Sequence, residues 1–193
     1  GSDEVTTAGD DVDVLVVMNP AALITNLKDL LVGGMIIADQ DAFTSRNLSR
    51  AGYTSNPLED GSLDAYRLIS IDITKQVIRS VEPFGLSHKF AVRCKNMWTL
   101  GLVMWLFDRD KQITIDNLNT KFALKQDIAK ANIAALNAGH SYAETAELPS
   151  GVEVYKIQKA EVEKGLYRNT TGSEALAFGL IAGGQLADIS LTF

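Results

Sequence analysis

Residues 12–18, VDVLVVM, form an almost unbroken β-branched and aliphatic run, and the residues that follow it decide the fold class. A run without polar alternation marks a strand covered on both faces, as in a parallel sheet. Asn19 and Pro20 come next, a good helix N-cap and a residue suited to the first helical position. The pattern predicts a helix over 20–31 that stops at Gly33-Gly34. A second apolar strand follows at 35–38, closed by Asp39. Strand, helix and strand at this spacing make a βαβ crossover, hence an α/β fold with a mostly parallel sheet covered by helices.

The remainder continues the theme. A short helix is expected at 42–51, a polar loop at 53–61, a third strand at 66–73 and a helix at 75–81, punctuated by Pro83-Phe84-Gly85. A long helix is expected over 87–109, burying Met97, Leu100, Val103, Met104 and Phe107. Two more follow at 114–122 and 126–138, with Gly139 as C-cap, and a strand at 152–157. Residues 158–171 are charged and polar and read as a linker. Thr171-Gly172-Ser173-Glu174 then opens a helix that stops at Gly183-Gly184, followed by an apolar strand at 189–193.

Composition removes several function classes. With 18 basic against 24 acidic residues and a net charge of -6, the chain has no basic surplus to neutralise phosphates, which argues against a nucleic-acid binder. Cys94 is the single cysteine, so no disulfide framework or cysteine-ligated cluster can be built within the chain. The longest apolar run, 97–107, is too short for a membrane span. No secretory leader is visible, and a cytoplasmic setting with no membrane contact is expected. His88 and His140 lack metal-ligand spacing, so no metal site is expected. The glycine pairs at 33–34 and 183–184 match neither G-x-G-x-x-G nor a Walker loop, and read as helix stops. No G-x-S-x-G elbow is present.

Three groups of polar residues remain. Asp39 and Asp41 lie just past the end of a parallel strand, where α/β ligand sites gather. They can bind a ribose or cap the helix that follows. Asn19 shares that location, and an N-cap role accounts for it. Lys95-Asn96 opens the apolar helix of the 95–107 region: Asn96 offers both a donor and acceptors to a ligand amide or hydroxyl. Lys95 or Arg93 can bring positive charge to a phosphate. Periodicity alone favours a structural role for this step, with Asn96 satisfying a neighbouring loop.

The segments DVLVVMNPAAL at 13–23, GGMIIAD at 33–39, the region from Arg46 to Glu59, KNMWTLGLVMWLF at 95–107, KFA at 121–123 and ANIAALNAGHSYAET at 131–145 occur in an order that carries a resemblance. The chain resembles the alpha subunit of bacterial 2-oxoglutarate (2-oxoacid):ferredoxin oxidoreductases, in the form with a gamma domain fused ahead of the thiamine-binding domain. TGSEALAFGLIAGGQLA at 171–187 is similar to the opening helix of that second domain. The resemblance implies a three-layer α/β/α gamma domain over 1–157, a linker over 158–171, and the beginning of the thiamine diphosphate-binding domain over 172–193. It implies CoA-dependent oxidative decarboxylation of a 2-oxoacid, expected to be 2-oxoglutarate, with electrons passing to ferredoxin. Thiamine diphosphate, magnesium and a 4Fe-4S cluster belong to the complete enzyme, with the cluster in the partner beta subunit. Asn96 matches the asparagine of the family's R-x-x-N-M step and Arg93 its arginine, which implies that both lie near coenzyme A. No catalytic residue carries over, because thiamine does the chemistry and its pocket is formed by other segments.

The family's gamma domain begins with a strand and a Gly-rich loop, neither of which precedes Val12, so the domain is expected to be incomplete at its N-terminus. Ser173 stands where the family usually has asparagine. The chain alone is accordingly expected to be inactive and to self-associate through an uncovered strand edge or surface. The alternatives are a non-catalytic nucleotide- or CoA-binding α/β module, a nicotinamide-dependent reductase, against which the missing G-x-G-x-x-G weighs, and a pure assembly module.

Overall fold

A computed structural model describes residues 11–145, 154–156, 163, 165 and 170–189. The chain divides into two compact units, Gly1–Lys159 and Ala160–Phe193. In the first, strand β1 (Val12–Val17) leads into helix α1 (Pro20–Asn26), where the Asn19 side chain accepts from the Ala22 N–H at 2.9 Å and Pro20 starts the first turn. A short 3-10 turn follows, then β2 (Leu30–Asp39), α2 (Ser45–Ala51), β3 (Arg67–Ile71) and α3 (Ile73–Val81). The three strands pair in the order β1-β2-β3, all parallel.

The expected parallel sheet is present, but Gly33 and Gly34 do not end a helix. They lie inside β2, where the register against β1 jumps from Val12–Leu30 to Val14–Met35. Gly33 has φ +82, a left-handed value that only glycine adopts freely, and its N–H donates to Ala65 O at 2.9 Å. The pair therefore forms a bulge. The apolar residues Leu30, Leu31 and Val32 belong to the strand rather than to the preceding helix, which ends at Asn26.

Strand alternation feeds two cores. Met35, Ile37, Ile69 and Ile71 face a cluster that includes Ile73 and Val77 of α3, whereas Val17, Ile36 and Ala38 face Leu23, Phe43 and Leu48. Each fully buried aliphatic side chain contributes about 1.5–3 kcal/mol. Beyond α3 the chain forms α4 (His88–Arg93), α5 (Lys95–Leu106), α6 (Gln112–Lys121) and α7 (Gln126–Thr145). Trp98, Leu102 and Leu106 of α5 and Ala131, Ala135 and Ala143 of α7 complete the first cluster. Thus α1 and α2 cover one face of the sheet and α3, α5 and α7 the other, which is a three-layer α/β/α domain.

Three helical expectations change. The helix expected over 87–109 is two helices meeting at Cys94, and the buried stripe of α5 is Trp98, Leu102 and Leu106 rather than Met97, Leu100, Val103, Met104 and Phe107. Gly139 is not a C-cap but a buried interior residue of α7. It and Gly101 let two backbones meet: a Cβ on Gly101 would sit 1.9 Å from Leu136 O, and one on Gly139 would sit 1.8 Å from Trp98 O. Residues 154–156 form no strand. Tyr155 instead donates its N–H to Leu106 O at 2.6 Å and stacks on Phe107. The other residues of the strand expected at 152–157 lie outside the described set, as does most of the 158–171 linker.

In the second unit, α8 (Gly172–Ala187) opens with a reciprocal capping box between Thr171 and Glu174. Gly183 and Gly184 lie within it, and Asp188 in the left-handed region ends it. The strand expected at 189–193 falls, apart from Ile189, outside the described residues. Among the described residues no helix is long and apolar enough to cross a membrane.

Candidate functional site

The site candidates converge where β2 and β3 end. Asp39, the last residue of β2, is a polar residue at the end of an apolar strand, and it is fully buried. A buried carboxylate needs donors around it, and three are present. Thr74 donates its N–H to Oδ1 at 3.2 Å and its hydroxyl to Oδ2 at 2.8 Å, and Lys95 Nζ reaches Oδ2 at 2.8 Å. Asp41 Oδ2 accepts from the Lys75 N–H at 3.0 Å, while Lys75 Nζ lies 3.2 Å from Asp41 Oδ1. Asp72 precedes α3 but its side chain makes no capping bond. The first-turn N–H groups of Thr74 and Lys75 in α3 are therefore satisfied by two carboxylates at and just past the end of β2, where the helix dipole also favours negative charge.

This arrangement decides between the two readings of Asp39 and Asp41. Both act as caps, and the helix they cap is α3 rather than α2, the next α-helix in sequence, whose own N-cap is Thr44. Asp39 has no surface left for a ribose. Lys95, with 18% of its side chain exposed, is likewise engaged in the ion pair.

Lys95 opens α5 at a corner in the chain. Cys94, at φ -74 and ψ -3, is both the last cap of α4 and the residue before α5, and its side chain does not cap α5. The thiol is buried and donates weakly to Phe90 O at 3.6 Å, and burial raises its pKa. Arg93 and Asn96, on either side of this buried pair, are both exposed. Arg93 lines a cleft of about 290 Å3 with Phe90, Cys94, Phe122, Lys125 and Asn132, and its guanidinium lies 5.5 Å from the Phe90 ring centre. Asn96 is not part of that lining. The structure thus holds Arg93 and Asn96 on one short turn but gives only Arg93 a place in this cleft, with Lys125 as a second cation that the sequence pattern did not single out.

The described residues contain no group of three or more His, Cys, Asp or Glu able to hold a metal ion. Cys94 is buried in the core and protonated in character, which does not suit a cluster requiring several thiolates. One buried polar atom, Thr99 Oγ1 on the second turn of α5, has no hydrogen-bond partner among the described residues.

Over residues 1–142 the chain matches the model of the family described as pyruvate ferredoxin/flavodoxin oxidoreductase. It is 44% identical over 186 residues to the 2-oxoglutarate oxidoreductase subunit KorA of Mycobacterium tuberculosis, an alignment that covers 96% of this chain and 28% of that protein. In fold it is similar to a solved 2-oxoglutarate:ferredoxin oxidoreductase from Magnetococcus marinus with 2-oxoglutarate, coenzyme A and succinyl-CoA bound. The TM-score is 0.56 and the identity 20%, over 81% of this chain and 24% of that one. The chain therefore spans about a quarter of the length of these proteins.

Proposed function

Because the chain belongs to the pyruvate ferredoxin/flavodoxin oxidoreductase family, we propose that it serves as part of a cytoplasmic 2-oxoacid:ferredoxin oxidoreductase, with 2-oxoglutarate as substrate. The enzyme would couple CoA-dependent oxidative decarboxylation to the reduction of ferredoxin. The observation that carries this reading is the 44% identity to a 2-oxoglutarate oxidoreductase subunit along 96% of the chain. The gamma domain is assigned to 1–157, the linker to 158–171, and 172–193 to the start of the thiamine diphosphate-binding domain. Thiamine diphosphate supplies the decarboxylation chemistry when bound. It, its magnesium ion and the 4Fe-4S cluster are assigned to other segments and to a beta subunit.

What this segment contributes is a rigid surface for coenzyme A. Asn96 presents a carboxamide able to donate to and accept from the pantetheine amides, and Arg93 offers a guanidinium to a phosphate. Both stand exposed, on either side of the Cys94-Lys95 step whose lysine pairs with Asp39. In the complete enzyme with its beta subunit, N96A and R93A should each raise KM for coenzyme A about tenfold, equivalent to about 1.4 kcal/mol. Steady-state 2-oxoglutarate-dependent reduction of a viologen dye at graded coenzyme A would measure this. An unchanged KM in both variants would remove the coenzyme A role, and failure of the full enzyme to use 2-oxoglutarate would remove the substrate assignment.

A further inference from the structure

Asp39 and Lys95 lie 56 positions apart in sequence, and their ion pair ties the end of the sheet to the residue that stands between the exposed candidates Arg93 and Asn96 in the chain. The α4–α5 corner is held by apolar packing that is not directional: Ala91, Cys94 and Trp98 are buried in the core. Cys94 supplies no side-chain cap, and α4 is only 6 residues long. Lys95 adds a directional bond to the end of the sheet. Asp39 cannot swing to follow Lys95, because Thr74 holds its carboxylate through both oxygens. The neighbouring Lys75–Asp41 pair, with the lysine side chain 62% exposed, is a weaker tie.

We propose that Asp39 and Lys95 are positioning residues for the coenzyme A contact: the buried ion pair locks the corner so that Arg93 and Asn96 keep the spacing that the ligand reads. The inference rests on the reading of those two residues given above. A rival role for Lys95 is direct contact with a coenzyme A phosphate. The two roles predict opposite signs for one variant. If Lys95 touched phosphate, D39N would free the ammonium and tighten coenzyme A. If Lys95 is a latch, D39N loosens the corner and weakens coenzyme A, as K95M does.

The test uses the complete enzyme with its beta subunit and the variants D39N, K95M, K95R, R93A, N96A and D39N/K95M. K95M and D39N should each raise KM for coenzyme A about tenfold, since small misplacements of binding groups have effects of this size or larger. The loss should fall on KM rather than on kcat. K95R should recover most of it, and the double variant should be no worse than either single one, because both break the same tie. Hydrogen exchange of the amides of residues 93–97 should quicken in K95M while exchange in β2 does not. A lower KM in D39N, or a flat KM in K95M, overturns the latch. A KM flat in both N96A and R93A brings down the coenzyme A reading and this inference with it, whereas a response in either beside flat K95M and D39N overturns the latch alone. Should D39N not fold, K95M against K95R decides the question.

Discussion

At the scale of single residues, the polar groups of α5 divide into satisfied and unsatisfied ones, and the division predicts stability. Thr99 Oγ1 is buried without a partner among the described residues, whereas the hydroxyl of Thr74 donates to Asp39. Thr99→Val removes the unmet hydroxyl and should stabilise the protein by about 1 kcal/mol in urea unfolding; a loss of stability would show that the hydroxyl has a partner. Lys95→Met leaves Asp39 with only Thr74, and should cost about 2–3 kcal/mol, toward the low end for a broken buried pair because two donors remain. Lys75→Met, at the exposed pair, should cost under about 1 kcal/mol. His140 adds a pH dependence. Burial, then the Lys111 charge, hold its imidazole below the ordinary 6.5, against the opposing pull of Glu144. The unfolded chain therefore takes up its proton at higher pH than the folded one. The contribution to stability is complete above that ordinary value and declines as pH falls through it. Urea midpoints should drop more steeply toward acid in the wild type than in H140Q, and parallel profiles would refute the assignment.

Elements obey a second rule, that glycine marks a close approach as readily as a stop. Gly101→Ala or Gly139→Ala would drive a methyl group into a carbonyl oxygen of the facing helix. Each should destabilise the protein by at least about 1–3 kcal/mol, the usual cost of overpacking, measured by thermal or urea unfolding. The β1–α1–β2 order and the N-cap role of Asn19 were legible because β-branched runs and the Asn-Pro step are local signals. The continuation of α7 was also written in the chain, in Ala131, Ala135, Gly139 and Ala143 at four-residue spacing, but a glycine after an apolar stretch mimics a helix end. The break at Cys94 has no local signal, since neither proline nor glycine stands there, and it shifted the buried stripe of α5 away from the expected one. The candidate site was half legible. Arg93 and Asn96 stood out through a resemblance, but the Asp39–Thr74–Lys95 constellation depends on pairing across 35 and 56 positions, which periodicity does not report.

For the whole molecule, exposed apolar surface is the dominant feature. β1 forms one edge of the described sheet, and Val12 and Val32 are exposed near it. In the second unit Leu176, Phe178 and Leu186 of α8 are 65%, 51% and 90% exposed. Edges and patches of this kind recruit partners. Sedimentation velocity over a dilution series should show self-association of this chain, and co-expression with the beta subunit should suppress it; a monomer at every concentration would refute this. The glycine-mediated meeting of α5 and α7 has a mechanical consequence. Backbone meets backbone at Gly101 and Gly139, and the Trp98 and Tyr142 rings pack 5.1 Å apart beside them, so the two helices are tightly coupled. α7 is 20 residues, about 30 Å of rod. A tilt of the corner that bears Arg93 and Asn96 would be passed to that rod, which makes the corner the short arm of a lever.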